Sequence, residues 1–326
     1  MPLTIWTNHE FRPEALEAFK AGLAAGGHRL IHSPKSSASV LAAGASDPAL
    51  AEADIVFGQP KVDDIMHQRK LRWVALTTAG YTRYDGGDLR AAFKARGAVL
   101  TKASGVFADA CAHQVLANML ALARRLPGQL RNQDGAREWK YLEDRFVATL
   151  LTGQSAVLLG HGVIGKRLAE LLRPFGMKLT AFRRTPAGKD EGIAVVNAAG
   201  LPAALAAADQ VVNILPESKE TINFMDAARF AQMKPGARFY NIGRGTTVDQ
   251  PALMAALESG RLDAAYLDVT EPEPLPPEHP LWKTRNCYIT CHVGGGTREQ
   301  DDKLVRLFLD NLARFERGEA LVERIV

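Results

Sequence analysis

The stretch AVLLGHGVIG, residues 156–165, decides how this chain folds. A short apolar strand runs into three glycines spaced as G-x-G-x-x-G, and a helical pattern follows directly. In such a unit Gly160 permits a tight turn, Gly162 lets a pyrophosphate approach the backbone, and Gly165 lets the helix pack close to the strand. The phosphates would lie at the helix N-terminus, where unpaired N–H groups and the helix dipole favour negative charge. Because a second strand is predicted at 178–182, we interpret the unit as a dinucleotide site rather than a purely structural turn.

Length and composition limit the class of protein. The chain has 326 residues, of which 47% are hydrophobic and 23% charged, which is typical of a soluble globular protein of two domains. The net charge is +4, and the sequence contains no run of five like charges. We therefore expect no nucleic-acid partner. We expect no membrane span, because charges and glycines interrupt the apolar stretches. Three cysteines and an N-terminus without a signal pattern predict a reduced, cytoplasmic protein.

Strand and helix patterns alternate along the whole chain. In the first hundred residues we predict strands at 3–7, 28–32, 53–57, 71–78 and 98–102, and helices at 13–25 and 88–95. A long apolar helix is predicted at 108–126. Beyond the glycine-rich unit we predict strands at 193–196, 210–215, 238–242, 264–269 and 288–291, and a last amphipathic helix at 297–317. Repeated strand–helix units predict an α/β fold with two doubly wound parallel sheets.

Three local sequences place charged or titratable residues at predicted strand ends. They are NIGRG at 241–245, LDVTEPEP at 267–274 and TCHVGGGT at 290–297. In an open parallel sheet, the ligand crevice lies outside the carboxyl ends of the strands. We therefore expect these three segments to line a ligand site.

Taken together, these segments resemble the D-isomer-specific 2-hydroxyacid dehydrogenase family, in particular its glyoxylate/hydroxypyruvate reductase-like members. The resemblance covers nearly the whole chain and includes SGVFADA at 104–110, LPES at 215–218 and HPLW at 279–282. It implies a Rossmann nucleotide domain, residues 103–290, inserted into a flavodoxin-like substrate-binding domain, residues 1–102 and 291–326.

The resemblance implies three catalytic residues. Arg244 would hold the carbonyl oxygen and carboxylate of the substrate, a task that suits a planar fork of donors. His292 would be the general acid that protonates this oxygen as hydride arrives. Glu273, rather than Glu271, would be its acid partner, since a nearby carboxylate favours the imidazolium and fixes the ring. The implied reaction transfers a hydride from NADPH to a small 2-oxo acid and gives the D-2-hydroxy acid.

The resemblance also implies binding residues in both domains. The backbone of Ala79, Gly80 and Tyr81 would grip the substrate carboxylate, together with Arg244 and His292. Asp268 would face the nicotinamide carboxamide. The other cofactor-binding residues would be Gly160, His161, Gly162, Val163, Ile164, Gly165, Leu215, Pro216, Ile242, Gly243, His292 and Gly294. Arg244, Glu273, Asp268 and His292 each also have a structural interpretation, as turn, cap or solvated residues.

The strand that follows the glycine loop departs from the NAD-binding pattern. It should end in an acid for NAD, whose 2′-hydroxyl the acid would bind. Here it ends in Arg183, Arg184 and Thr185, which offer donors to a 2′-phosphate. We therefore predict NADP(H) as the preferred cofactor, with NAD(H) used less well.

The bridge helix departs from the common family sequence at a second place. Many family members carry Ala-Glu-His where this helix has Ala112, His113 and Gln114.

Cys287 and Cys291 have a loose metal-like spacing with His292. Strand alternation would direct both cysteines toward a core and the histidine to the opposite face, so we predict no metal site.

Two other functions and one assembly remain open at this stage. A phosphoglycerate dehydrogenase-like enzyme is one alternative, and a nucleotide-sensing co-repressor with the same fold is another, because fold does not determine function. The family also implies a homodimer formed through the nucleotide domain. Trp139 would then either reach the neighbouring subunit or pack as an ordinary core residue.

Overall fold

The computed structural model describes residues 2–37, 44–184, 188–190 and 192–326. The chain divides into two compact units. Unit 1 combines Met1–Phe107 with Gly296–Val326, and unit 2 is Ala108–Gly295. The sequence prediction drew these two boundaries at 102/103 and 290/291, so it assigned His292 to the first domain, whereas the structure includes His292 in unit 2.

Unit 1 contains a parallel sheet. Its described strands are β1 Thr4–His9, β2 Arg29–Ser37, β3 Ile55–Gly58, β4 Trp73–Leu76 and β5 Val99–Thr101. Their spatial order is β2-β1-β3-β4-β5, and every neighbouring pair is parallel. This is the flavodoxin-like strand order, in which ligands bind beyond the carboxyl ends of the strands.

Unit 2 contains a larger sheet built around the glycine-rich stretch. Its described strands are β6 Ser155–Leu159, β7 Lys178–Phe182, β8 Gly188–Asp190, β9 Ile193–Val196, β10 Gln210–Asn213, β11 Ala237–Asn241, β12 Leu262–Leu267 and β13 Cys287–Ile289. The order is β13-β12-β11-β10-β6-β7-β9-β8. The run from β9 to β12 reproduces the Rossmann order, and β8 is an antiparallel strand at the edge. The predicted fold class is confirmed.

Helices alternate with these strands in chain order. They are α1 Pro13–Ala25, α2 Val62–Met66, α3 Gly87–Ala95, α4 Ser104–Ala123, α5 Leu126–Asp134, α6 Tyr141–Arg145, α7 Val163–Leu172, α8 Leu201–Ala207, α9 Ala227–Gln232, α10 Gln250–Glu258 and α11 Gln300–Glu316. Short 3₁₀ segments also occur, among them 82–84, 173–175 and 245–247.

Both faces of the unit 2 sheet are buried, as expected for a parallel sheet. Adjacent residues of one strand belong to different core clusters: Leu159 and Val211 lie in one, and Leu158 and Val212 in the other. This follows from the two-residue period of a strand. The strands therefore hold a rigid edge at which the polar segments emerge.

The amphipathic face of α11 is buried in unit 1. Leu304, Phe308 and Leu312 are nearly inaccessible to solvent. The ring of Phe308 stacks on Trp73 of β4, with 4.9 Å between centroids and 8° between planes. The last helix thus covers the unit 1 sheet and joins the end of the chain to its beginning.

The bridge helix α4 begins and ends earlier than predicted. It stops at Ala123 because Arg125 adopts a left-handed conformation, with φ 58°, and Pro127 then lies in the first turn of α5. By length and composition alone α4 could cross a membrane, with a mean hydropathy of 1.3, a test that core helices also pass. Val115 and Met119 are fully buried in the core of unit 2, which accounts for its apolar character.

Candidate active site

The glycine-rich loop joins β6 to α7 in unit 2. Gly160 has φ +109°, a conformation that side-chain-bearing residues rarely adopt. A Cβ on Gly165 would lie 2.5 Å from the carbonyl oxygen of Gly160, so the helix could not pack as closely with any other residue. A Cβ on Gly162 would meet no atom within 4 Å, which leaves its backbone approachable from outside. The loop therefore fits the diphosphate of a dinucleotide, with Val163 and Ile164 in the first turn of the helix.

Other predicted cofactor-binding residues converge on the same edge of the sheet. Leu215 and Pro216 follow β10, and Ile242 and Gly243 follow β11. A Cβ on Gly243 would lie 2.5 Å from the carbonyl oxygen of Leu215, so the two loops touch through their backbones. The carboxyl ends of β6, β10 and β11 thus form one continuous edge, as the strand order requires.

A buried polar network fixes the backbone of Arg244. The Nδ2 of Asn241 and the Oγ1 of Thr247 donate to the carbonyl oxygen of Arg244 at 3.1 and 2.6 Å. Thr247 also accepts a hydrogen bond from Asn213 at 2.7 Å. Gly245 cannot carry a side chain, since a Cβ there would collide with the carbonyl oxygen of Thr270. The arginine is therefore placed by neighbours that tolerate little change.

The side chain of Arg244 is half-buried and charged. Burial lowers the pKa of Arg244, while the negative charges of Glu273 and Glu217 oppose that shift. The Nη1 group donates to the carbonyl oxygen of Gly243 at 2.7 Å. Glu217, which sequence reasoning did not assign, accepts a hydrogen bond from Thr246 at 2.7 Å. The guanidinium remains a cation suited to a carboxylate-bearing ligand.

Glu273 and His292 form a pair beside this arginine's segment. The Nδ1 of His292 lies 2.9 Å from the Oε2 of Glu273, and the two side chains are 24% and 17% exposed. The backbone N–H of Thr270 donates to the Oε1 of the same carboxylate at 3.0 Å. Burial raises the pKa of Glu273, but the contacts with His292, Thr270 and Arg244 outweigh it and hold the pKa below its ordinary value. Glu271 is exposed and binds Gln250 through its backbone instead.

Asp268 holds the loop that carries His292. Its buried carboxylate accepts hydrogen bonds from the backbone N–H groups of Val293 and Gly294, at 3.0 and 2.9 Å. The N–H of His292 donates to the carbonyl oxygen of Asp268 at 2.8 Å, and His292 has φ +53°, which is uncommon outside glycine. The contact of Asp268 with the nicotinamide stays a prediction. The observed bonds order the backbone around the histidine.

Gln114 extends this support to helix α4. The Nε2 of Gln114 donates to the hydroxyl of Tyr266 at 3.0 Å, and that hydroxyl lies 2.7 Å from the Oγ1 of Thr290. Thr290 in turn donates to Asp268 at 2.6 Å. The neighbouring His113 is exposed and bonds within its own helix to the carbonyl oxygen of Asp109. Because Gln114 departs from the common Ala-Glu-His pattern, a neutral amide begins this chain of hydrogen bonds, which ends at Asp268 and the loop of His292.

The predicted substrate-carboxylate grip lies in unit 1, directly after β4. The Oγ1 of Thr78 donates to the carbonyl oxygen of Gly80 at 2.8 Å and so fixes the turn. The ring of Tyr81 lies 5.2 Å from the ammonium of Lys102. Across the described part of the chain, no acceptor is found for the backbone N–H groups of Ala79, Gly80 and Tyr81. Such a row of N–H groups can bind a carboxylate.

The end of β7 carries the predicted arginines. Arg183 and Arg184 are exposed, and Thr185 lies outside the described residues. The Nη1 of Arg183 is 3.1 Å from the Oδ2 of Asp190, at the end of β8. Sequence reasoning missed both β8 and Asp190, because a three-residue edge strand without an apolar pattern gives no signal.

The cysteines do not lie as the alternation argument expected. Cys287 is in β13, but Cys291 lies beyond the strand and is exposed, so the two do not share a buried face. Within the part of the chain that the structure describes, no three His, Cys, Asp or Glu side chains are grouped as metal ligands.

The doubly wound fold and the glycine loop define this protein as a dinucleotide-binding α/β enzyme. The family model for the D-isomer specific 2-hydroxyacid dehydrogenase NAD-binding domain matches residues 116–294. The glyoxylate/hydroxypyruvate reductase B of Citrobacter koseri is 35% identical over 74% of each chain. The D-3-phosphoglycerate dehydrogenase of Archaeoglobus fulgidus is 31% identical over 82% of this chain and 50% of its own.

A solved structure agrees with these matches. The D-isomer specific 2-hydroxyacid dehydrogenase of Xanthobacter autotrophicus Py2, in complex with NADPH and MES, superposes with a TM-score of 0.81. It is 26% identical, and the match covers 100% of this chain and 98% of that one. The chain belongs to the D-isomer specific 2-hydroxyacid dehydrogenase family, so the resemblance is confirmed. It is an oxidoreductase that uses a nicotinamide cofactor and acts on small 2-oxo or 2-hydroxy acids.

Proposed function

We propose that this protein is an NADPH-dependent reductase of small 2-oxo acids of the glyoxylate and hydroxypyruvate type. One observation carries the proposal: the His292–Glu273 pair lies at 2.9 Å in the segments that follow the same sheet edge as Arg244 and the glycine loop. A paired proton donor and a fixed cation are what the reduction of a carbonyl beside a carboxylate requires. The name of the Citrobacter koseri relative supports the choice of substrates.

Arg244 binds the substrate in this mechanism. Its planar guanidinium can donate to the carbonyl oxygen and the carboxylate of a 2-oxo acid at once. The backbone N–H groups of Ala79, Gly80 and Tyr81, which lie in unit 1, remain predicted donors to a carboxylate. A nicotinamide cofactor held at the glycine loop would supply the hydride for the carbonyl carbon. Arg244 stabilises the negative charge on the carbonyl oxygen.

His292 then supplies the proton. Its Nδ1 is engaged by Glu273 at 2.9 Å, so Nε2 is the nitrogen that carries the proton to the oxygen. The carboxylate of Glu273 orients the ring through this contact. Asp268 keeps the backbone of His292 in place while the proton moves.

The NADPH preference rests on Arg183 and Arg184. Both are exposed at the end of β7, where an NAD-specific enzyme of this fold would carry an acid. The Xanthobacter autotrophicus structure contains NADPH, which supports the same cofactor here.

A spectrophotometric panel tests the proposal. Glyoxylate, hydroxypyruvate and longer 2-oxo acids are each assayed with NADPH and with NADH at low ionic strength. The expected result is turnover of the short acids, with a higher kcat/KM for NADPH. A protein that oxidises NADPH with none of these acids would contradict the proposed reaction.

A phosphoglycerate dehydrogenase-like function is the second candidate. The Archaeoglobus fulgidus relative favours it, although the chain spans only half of that relative's length. Oxidation of D-3-phosphoglycerate with NAD or NADP distinguishes it from the first. Faster turnover of this phosphorylated acid than of glyoxylate and hydroxypyruvate would reverse our order of preference.

We also propose that the protein forms a homodimer through unit 2. Apolar side chains are exposed along residues 126–150, among them Leu130, Leu142 and Phe146. Trp139 is 94% exposed, so it does not pack against its own chain as an ordinary core residue would. Several exposed apolar side chains in one segment are typical of an interaction site. Sedimentation at micromolar concentration should give a dimer, and a monomer would count against the proposal.

A further inference from the structure

A second cluster of charges surrounds the carboxylate of Asp190, away from the catalytic pair. Its Oδ2 lies 3.1 Å from the Nδ1 of His161 and 3.1 Å from the Nη1 of Arg183. Its Oδ1 lies 3.3 Å from the Nζ of Lys166. One carboxylate thus contacts the glycine loop, the first turns of α7 and the end of β7.

The cluster pairs an anion with cations that a ligand could otherwise use. Asp190 is 22% exposed, against 33% for Lys166 and 42% for Arg183. Desolvation raises the pKa of Asp190, but the hydrogen bond and charge of Lys166, together with His161 and Arg183, outweigh it and keep the pKa below its ordinary value. The carboxylate is therefore ionised at neutral pH and offsets part of the positive charge at this end of β7.

The histidine of the cluster is not one of its cations. The side chain of His161 is fully buried, and burial lowers its pKa, with Asp190 opposing and Lys166 and Arg183 adding to the shift. A neutral ring must carry its hydrogen on Nδ1 to bond a carboxylate, which leaves Nε2 as an acceptor. Among the described residues this buried Nε2 has no hydrogen-bond partner. Within this cluster, the cations that a phosphate could bind are thus Lys166 and Arg183, and both contact Asp190.

The position of Asp190 in the fold relates the cluster to the ribose 2′ position of a dinucleotide. In this fold an acid that binds a ribose 2′-hydroxyl comes from the end of the strand after the glycine loop, and it repels a 2′-phosphate. Here that strand ends in Arg183, and the acid comes instead from β8, the antiparallel edge strand beside β9. A carboxylate and a phosphate cannot share the same two cations without repulsion.

We propose that Asp190 is a cofactor-selectivity residue that competes with the 2′-phosphate for Arg183 and Lys166 and so limits the preference for NADPH. This inference rests on the proposed use of NADPH. Asp190 leaves the site able to accept NADH, because its carboxylate can receive a hydrogen bond from a free 2′-hydroxyl.

Calorimetric titration with nucleotides that lack the nicotinamide tests Asp190 without any turnover. The probes are 2′,5′-ADP, which carries the 2′-phosphate, and 5′-AMP, which does not. Asp190→Asn should raise the ratio of 2′,5′-ADP affinity to 5′-AMP affinity about tenfold, since one good charge-assisted contact corresponds to about a tenfold step. The gain should shrink as salt is added.

Two further variants make the result specific. Glu170→Gln removes the same charge from α7, where Glu170 contacts Arg167 rather than this cluster, and it should leave the ratio unchanged. In an Arg183→Gln background the effect of Asp190→Asn should fall, because one of the two masked cations is gone.

Three outcomes would overturn the inference: an unchanged ratio in Asp190→Asn, a weaker affinity for 2′,5′-ADP, or an equal gain in Glu170→Gln. Each would occur in a protein that still binds nucleotide. Failure of the unmodified protein to bind either probe would instead contradict the proposed nucleotide site, and the inference with it.

Discussion

Unit 2 contains two carboxylate–histidine pairs whose geometry is similar and whose surroundings differ. The Glu273–His292 pair is 2.9 Å long, and the Asp190–His161 pair is 3.1 Å long. In the first pair the second carboxylate oxygen accepts a backbone N–H from Thr270. In the second pair it contacts the ammonium of Lys166.

This difference in surroundings decides what each pair can do. His292 is 24% exposed, so it can pass a proton to a ligand, while the fully buried ring of His161 cannot. Glu273 accepts a hydrogen bond from one backbone N–H and contacts one histidine. Asp190 contacts the side chains of Lys166 and Arg183 as well as His161, and a bound anion can displace the first two. A short carboxylate–histidine distance alone therefore does not identify a catalytic pair.

The largest expected effect comes from breaking the catalytic pair with His292→Ala. Loss of general acid catalysis should lower kcat by roughly 10²–10⁴-fold, because the reacting oxygen no longer receives its proton from the enzyme. Nucleotide affinity should stay close to normal. Steady-state kinetics and calorimetry measure the two quantities separately.

His113→Ala is the matched control, since His113 is exposed and, among the described residues, bonds to the carbonyl of Asp109 in its own helix. It should keep full turnover. A His292→Ala variant that retains most of its activity would remove the functional distinction between the two pairs.

The next effect in size concerns the nucleotide side of the comparison. Replacing Arg183 and Arg184 together with glutamine should raise the KM for NADPH at least tenfold more than the KM for NADH, since each charge-assisted contact contributes about 1.5–3 kcal/mol, less when exposed. The kcat at saturating cofactor should change little. Equal kcat/KM for the two cofactors in the unmodified enzyme, at low ionic strength, would contradict the assignment.

A smaller and more diagnostic effect is expected from Glu273→Gln. Reduction needs a protonated histidine, so the rate declines as pH rises. The carboxylate of Glu273 supports the charged imidazolium, as its own lowered pKa indicates, whereas a neutral amide does not. The alkaline limb of the pH–rate profile should therefore move to lower pH. A limb that does not move in a correctly folded variant would refute the pairing.

The smallest effect is on stability in acid. The pKa values of Glu273 and Asp190 are both lowered by folding, so each contributes stability that is present above its unfolded pKa of about 4 and is lost as pH falls through the folded value. The Tm difference between the unmodified protein and Glu273→Gln should therefore shrink below about pH 4.5. For the more exposed Asp190→Asn this pH dependence should be weaker. Thermal unfolding across that pH range checks both, and a difference that grows in acid would contradict the sign.

Much of the fold could be predicted because its signals are local. The bounds of α1, β7 and β9 agree with the predicted ranges, since Gly26, Arg183 and Asn197 follow these elements directly. The bridge helix was predicted to end three residues too late, because a left-handed Arg125 leaves no mark in the sequence. The edge strand β8 was missed because it has neither length nor an apolar pattern.

The candidate site divides in the same way. The sequence motifs brought out Arg244, Glu273 and His292, and the structure brings the last two into contact. The sequence could not reveal that Asp190 reaches the glycine loop, because that contact depends on how an edge strand pairs. Nor could it reveal the link from Gln114 to Thr290 through a tyrosine hydroxyl, since three separate elements have to meet.

The bonds from Asp268 to the loop after His292 have a consequence for hydrogen exchange. Val293 is 56% exposed, and a surface loop of this kind would normally exchange its amide hydrogens with solvent within seconds. Its N–H and that of Gly294 instead donate to a buried carboxylate. We expect these two amides to exchange as slowly as those of β12, which ends directly before Asp268. Deuterium uptake should therefore be slow at 293–294 and fast in the residues that follow.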